Sequence, residues 1–181
     1  MREVISPLVR ISEKVLSYLP WGARLYMEPY REVVLKEIEL AQLKPGEKVL
    51  QIGSGALPYS AIFLAELAQV SVCALDIDQV AVKRAVYWVE KLGLSAKVKV
   101  KEGNGRDFPA SDFSAAFVAL QAKPKGEILT NLFSQGPGGL RVVVRQPLER
   151  FKSQYEAVPI TWKCQNKVQQ KMLTFSSQLF Y

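Results

Sequence analysis

The spacing of apolar residues changes as this chain runs, from helical intervals to short solid blocks and back. In residues 1–19, Val4, Ile5, Leu8, Val15 and Leu16 recur at helical spacing between charges, which predicts an amphipathic first helix. A loop at Pro20-Trp21-Gly22 is expected next, then a helix from about Met27 with Pro29 in its first turn and a stripe of Val33, Val34, Ile38 and Ala41. Beyond residue 46 the blocks alternate in length. Strands are predicted at 47–52, 70–75, 96–100, 113–120 and 140–144, the fourth solid enough to be buried on both faces. Helices are predicted between them at 58–67, after an Asp78 cap through Val82, Ala85, Val86 and Val89 to a stop at Gly93, and at 125–133.

Strands alternating with helices of this length predict an α/β fold, a parallel sheet covered on both faces. The tail breaks the alternation. A short helix at 148–155 precedes two strand-like runs, 158–164 and 168–180, with Gln165-Asn166-Lys167 between them. Their separation is too short for a helical crossover, so they are expected to pair as an antiparallel hairpin.

With 181 residues, 49% of them hydrophobic, the chain can bury one sizeable core. No apolar run is long enough to span a bilayer, and residues 1–19 carry too many charges for a signal peptide, so a cytoplasmic protein is expected. Cys73 and Cys164 are the only cysteines and histidine is absent, which excludes the usual zinc sets and Ser-His or Cys-His nucleophiles; no metal is expected. Both cysteines read as small buried hydrophobes in a reducing compartment. The net charge of +7 lies wholly in the second half, because residues 1–96 hold as many acids as bases. Such a surplus suits nucleic acid or an anionic small molecule, but without a clustered basic run it reads first as a solubilising surface.

Candidate chemistry concentrates in Val49-Leu50-Gln51-Ile52-Gly53-Ser54-Gly55-Ala56-Leu57-Pro58 and in Ala74-Leu75-Asp76-Ile77-Asp78. A buried strand enters two glycines and then a helix, and the next strand delivers a carboxylate about twenty residues on, the layout of a nucleoside-cofactor cleft. Pro58 stands at the third glycine position of the dinucleotide pattern, which favours S-adenosylmethionine over NAD. Gly53, Ser54 and Gly55 would give backbone access to its methionyl part, and Asp76 would accept from the ribose diol. Ile77 would flank the adenine, and Asn104 beside Gly105 would offer its amide to the adenine amino group. Ala119, Leu120 and Gln121, at the end of the fourth strand, would form the floor beside the sulfonium.

Pro29-Tyr30-Arg31 with Lys36-Glu37-Ile38-Glu39-Leu40, the loop 52–58, Ala119-Leu120-Gln121-Ala122-Lys123-Pro124-Lys125 and Val143-Val144-Arg145 resemble nicotianamine synthases and their archaeal and bacterial relatives, within the class I S-adenosylmethionine-dependent methyltransferase superfamily. The resemblance covers about residues 26–180. It implies a Rossmann-like fold of strand order 3-2-1-4-5-7-6, and transfer of a 3-amino-3-carboxypropyl group from S-adenosylmethionine to an amine. Glu37 would be the catalytic carboxylate, taking the proton of the attacking amine, with Tyr30 beside it. Gln121 and Arg145 would contact the acceptor, Arg145 through a carboxylate. The chain departs from the family at Ala56, where proline is usual, and from the methyltransferases at Gln51, where an acid is common. The family's enclosing N-terminal region is short here, which implies a more open cleft unless the first helix or a second copy, in a homodimer, closes it.

The expected organisation is one structural domain: N-terminal helices over 1–45 covering the cleft and a cofactor-binding Rossmann-like unit over 46–181. The expected activity is S-adenosylmethionine-dependent transfer, methyl slightly ahead of aminocarboxypropyl, to a small-molecule amine. A nucleic-acid methyltransferase and a non-catalytic cofactor-binding module are the alternatives.

Overall fold

The structure, a computed structural model, describes residues 20–171 and 174–181; the predicted amphipathic segment 1–19 lies outside the described residues. In chain order the elements are α1 (Pro20–Ala41), β1 (Lys48–Ile52), α2 (Tyr59–Leu67), β2 (Ser71–Asp76), α3 (Gln79–Lys91), β3 (Val98–Glu102), β4 (Ala115–Val118), α4 (Lys125–Gln135), β5 (Arg141–Pro147), a 3-10 turn (Glu149–Phe151), β6 (Asn166–Gln169) and β7 (Phe175–Phe180). They build one seven-stranded sheet in the order β3-β2-β1-β4-β5-β7-β6, as expected. Strands β1 to β5 run parallel, and β7 pairs antiparallel with both β5 and β6.

Solid apolar blocks become central strands because both of their faces are covered. All four residues of β4 are buried, as are Val49 to Ile52 of β1. One face of the sheet packs against α1, α2 and α3 through Val34, Ile62, Leu64 and Trp88, the other against α4 through Ile128, Leu129 and Leu132. Strand order reverses at β1, which lies between β2 and β4, so a crevice opens above the carboxyl ends of β1 and β4. Among the described residues no helix is long and apolar enough to cross a membrane.

Four expectations are corrected. Residues 20–22 are helical, and α1 starts at Pro20, where a missing N–H costs nothing; Pro29 therefore lies inside the helix. Residues 158–164 form no strand, because Pro159 has no N–H to donate, the Val158 amide goes to the Gln146 side chain and the Trp162 amide closes a turn on Pro159. The hairpin is displaced along the chain, with β6 covering Asn166 and Lys167, two of the three residues read as its turn. Cys164, outside any strand, is exposed, whereas Cys73 is half-buried in β2.

Candidate active site

β1 ends by feeding Gly53 into a left-handed conformation, φ +82°. A side chain there would be strained by the backbone, and its Cβ would lie 3.1 Å from the Ala119 Cβ, so the end of β4 would have to yield by a few tenths of an ångström to admit one. The Gly53 and Ser54 amides both donate to the Leu75 carbonyl, at 2.9 and 2.8 Å. The Gly55 amide donates to Asp76 Oδ2 at 2.7 Å, and Oδ1 of the same carboxylate accepts the Asp78 amide at 2.9 Å. Asp76 thus joins the loop after β1 to the loop after β2. Asp78 caps α3 by accepting the Val80 amide at 2.9 Å, as its position predicted. The Ser54 hydroxyl oxygen is buried with no hydrogen-bond partner among the described residues.

On the β2–β3 side, Ile77 is 71% exposed and presents an apolar surface to the crevice. Asn104 Oδ1 accepts the Arg106 amide at 3.1 Å, so the amide nitrogen is the group left to offer as a donor. Gly105 packs tightly on Ile52, and its carbonyl is held by Asn131 Nδ2 from α4 at 3.0 Å.

At the other end stands Arg145, near the carboxyl end of β5 and 5% exposed. Its Nε and one terminal nitrogen each donate to a different Glu37 oxygen at 2.9 Å; the same terminal nitrogen also donates to Ser60 Oγ at 2.9 Å, and the other one to the Tyr59 hydroxyl at 3.2 Å. The guanidinium also lies over the rings of Tyr59 and Phe175. Burial works against its charge, yet the Glu37 carboxylate, with smaller contributions from Tyr59 and Tyr30, holds the group above the ordinary arginine range. Glu37 is 2% exposed and takes a third hydrogen bond, from the Ser177 hydroxyl, at 2.6 Å.

These ends belong to one cavity of about 290 Å³. It is lined by nine of the residues expected from sequence: Gly53, Ser54, Gly55, Asp76, Ile77, Asn104, Gly105, Gln121 and Arg145. The others stand behind it. Pro58 is buried at the N-cap of α2, the Ala119 methyl backs Gly53, and Leu120 packs with Val33, Tyr155 and Phe175. Glu37 supports Arg145 and borders a separate cavity of about 10 Å³ with Gln51 and Ser60, while Tyr30 stacks on Tyr59 with ring centroids 4.0 Å apart.

Sequence reasoning missed Tyr59, Ser60, Lys123 and Lys125. The first two follow Pro58 in the opening turn of a helix aimed at the crevice, and that position was the available signal. Lys125 stood only at the end of the motif run 119–125, with nothing to mark its burial, since a lysine at a helix start reads as surface; it is fully buried. Among the described residues, no three His, Cys, Asp or Glu side chains are grouped to hold a metal ion.

Residues 29–175 match the family model of protein-L-isoaspartate(D-aspartate) O-methyltransferase. A protein-L-isoaspartate O-methyltransferase of Methylorubrum populi is 32% identical over 148 residues, covering 75% of this chain and 68% of that protein. An L-histidine 2-aminobutanoyltransferase of Yersinia pestis is 38% identical over 74 residues, 41% of this chain and 28% of its own length. Among solved structures, a variant of MtNAS in complex with S-adenosylmethionine superposes with a TM-score of 0.81 at 22% identity, covering 94% of this chain and 71% of that one, a likeness of fold.

Proposed function

Because the chain belongs to the protein-L-isoaspartate(D-aspartate) O-methyltransferase family, we propose that it transfers the methyl group of S-adenosylmethionine to a small-molecule acceptor, an amine foremost, seated at the Arg145 end of the cleft. One observation carries this reading: the Asp76 carboxylate, tied to the Gly55 amide across the point where strand order reverses, beside an unpartnered buried Ser54 hydroxyl. Both features fit the cofactor. Asp76 retains lone pairs for a ribose diol, and Ser54 needs a polar partner that the described protein atoms do not give it.

When bound, S-adenosylmethionine supplies an electrophilic carbon beside a sulfonium. The protein supplies placement. Gly53, Ser54 and Gly55 would hold the methionyl part, Asp76 the ribose, and Ile77 with Asn104 and Gly105 the adenine. Gln121 and the Tyr59–Arg145 wall would orient the acceptor, so that catalysis rests on alignment in a partly desolvated crevice. Glu37 is proposed as the counter-ion that fixes Arg145 in position, with Tyr30 bracing Tyr59 from behind. A proton leaving an amine acceptor would then go to solvent or to a group at the rim, since both Glu37 oxygens are already engaged.

Aminocarboxypropyl transfer is the second reading, favoured by the fold likeness to MtNAS over 94% of the chain and by the identity shared with the aminobutanoyltransferase. Incubation with labelled S-adenosylmethionine and a panel of amines separates the two. Release of S-adenosylhomocysteine supports methyl transfer, release of methylthioadenosine overturns it in favour of the second reading, and failure to bind the cofactor at all overturns both.

A further inference from the structure

Lys125 opens α4 and is 0% exposed. Its ammonium donates to three main-chain carbonyls: Leu120 at 2.8 Å, Ala122 at 3.1 Å and Glu156 at 2.7 Å. Its backbone amide donates to the Glu156 carboxylate at 2.8 Å. The placement is costly twice over, because a cation is buried and because it sits at the positive end of a helix. Three carbonyls match the three donors of an ammonium, so a lysine fills this socket without leaving a proton unbonded. Burial pulls its pKa down to about 8, with the Glu156 carboxylate acting against the shift.

The two carbonyls nearest in sequence bracket Gln121, and Gln121, Ala122 and Lys123 line the cleft. That short rim also touches the glycine loop. A Cβ on Gly53 would meet the Ala119 methyl at 3.1 Å and the Ala122 methyl at 3.5 Å, so a small displacement of the rim changes the clearance over Gly53. Glu156 anchors the other side of the socket, from the segment that follows β5.

We propose that Lys125 is a positioning residue whose ammonium clamps the rim 120–123 against the glycine loop and so sets the shape of the end of the cleft where transfer takes place. The clamp leaves the β2–β3 end untouched, where Asp76, Ile77 and Asn104 lie. This rests on the S-adenosylmethionine reading for its ligand readout and stands apart from it for its structural one.

The test compares wild type with Lys125→Met, or with Lys125→Gln, which keeps two donors, should the first fail to fold. Hydrogen exchange of the free protein is expected to rise in residues 119–123 and 156–158 while β1, β2 and α3 keep their protection. Calorimetry with two probes follows. Adenosine, which reaches the β2–β3 end alone, is expected to bind equally well, while S-adenosylhomocysteine weakens about tenfold, as for the loss of one charge-assisted hydrogen bond. Unchanged exchange at 119–123 overturns the proposal, and so does an equal loss for both probes, which marks a merely structural lysine. If neither probe binds wild type, the cofactor reading fails and the exchange result alone decides the role of Lys125.

Discussion

Glu37 and Arg145 meet through two hydrogen bonds of 2.9 Å from residues 108 positions apart in sequence, with 2% and 6% of their side chains exposed. The pair joins α1 to β5 directly behind the cleft wall. Removing one partner strands the other charge in the interior, so Glu37→Ala is expected to cost about 3–5 kcal/mol of stability in urea denaturation. Adding Arg145→Met to that variant should return part of the loss, because an apolar side chain of similar reach needs no counter-ion. A Glu37→Ala loss below about 1 kcal/mol would show that the pair is solvated in solution.

Asp76 holds the glycine loop and faces the cleft at once. Asp76→Ala is expected to weaken S-adenosylhomocysteine by about 30-fold or more, since two hydroxyls lose a charged acceptor and Gly55 loses its tie. Asp76→Asn should fall between, keeping an acceptor without the charge. Isothermal titration gives the affinities, and a change under about threefold for the alanine variant would remove Asp76 from the binding site.

Gly53→Ala tests the close pass at the end of β1. The left-handed φ of +82° and the 3.1 Å approach to the Ala119 methyl act separately. The dihedral alone should cost about 1–2 kcal/mol. Combining Gly53→Ala with Ala119→Gly should relieve the contact and not the dihedral, so the double variant is expected to be less destabilised than the sum of the two single ones. Additive losses in thermal or urea denaturation would show that the loop moves aside freely.

The succession of strands and helices and the glycine loop were legible because each rests on local signals, whereas the order of strands in the sheet came from the family resemblance. Solid apolar blocks, two glycines and the Asp78 cap all act within a few residues of themselves. Arg145 and Glu37 were both legible as motif residues, but their pairing was not: it depends on which face of α1 meets β5 and β7. The hairpin was misplaced for a related reason. Residues 158–164 are as apolar as a strand, and Pro159 was the contrary signal, while β6 is built from the polar run 166–169, held by pairing with β7 and otherwise exposed along most of its length. The burial of Lys125 was illegible because its ammonium is enclosed by two carbonyls of the loop just before it together with one from residue 156, and only the fold brings the latter in.

That burial gives Lys125 a measurable pH signature. In the folded protein the ammonium loses its proton near pH 8, whereas an unfolded lysine does so at its ordinary value of 10.5. Between these two values the unfolded chain binds more protons than the folded one, so the stability contributed by this site rises with pH across the window and is level below it. Other lysines and the tyrosines titrate nearby, and comparison with Lys125→Met cancels them. The wild-type unfolding free energy, measured by urea denaturation at pH 7, 8.5 and 10 (about 1.5-unit steps chosen to bracket the window), is therefore expected to gain on the variant at each step above pH 8. Parallel pH profiles would mean that Lys125 keeps an ordinary proton affinity, with solvent reaching its ammonium. A wild type that loses ground as pH rises would mean that the three carbonyls bind the cation more tightly than water does.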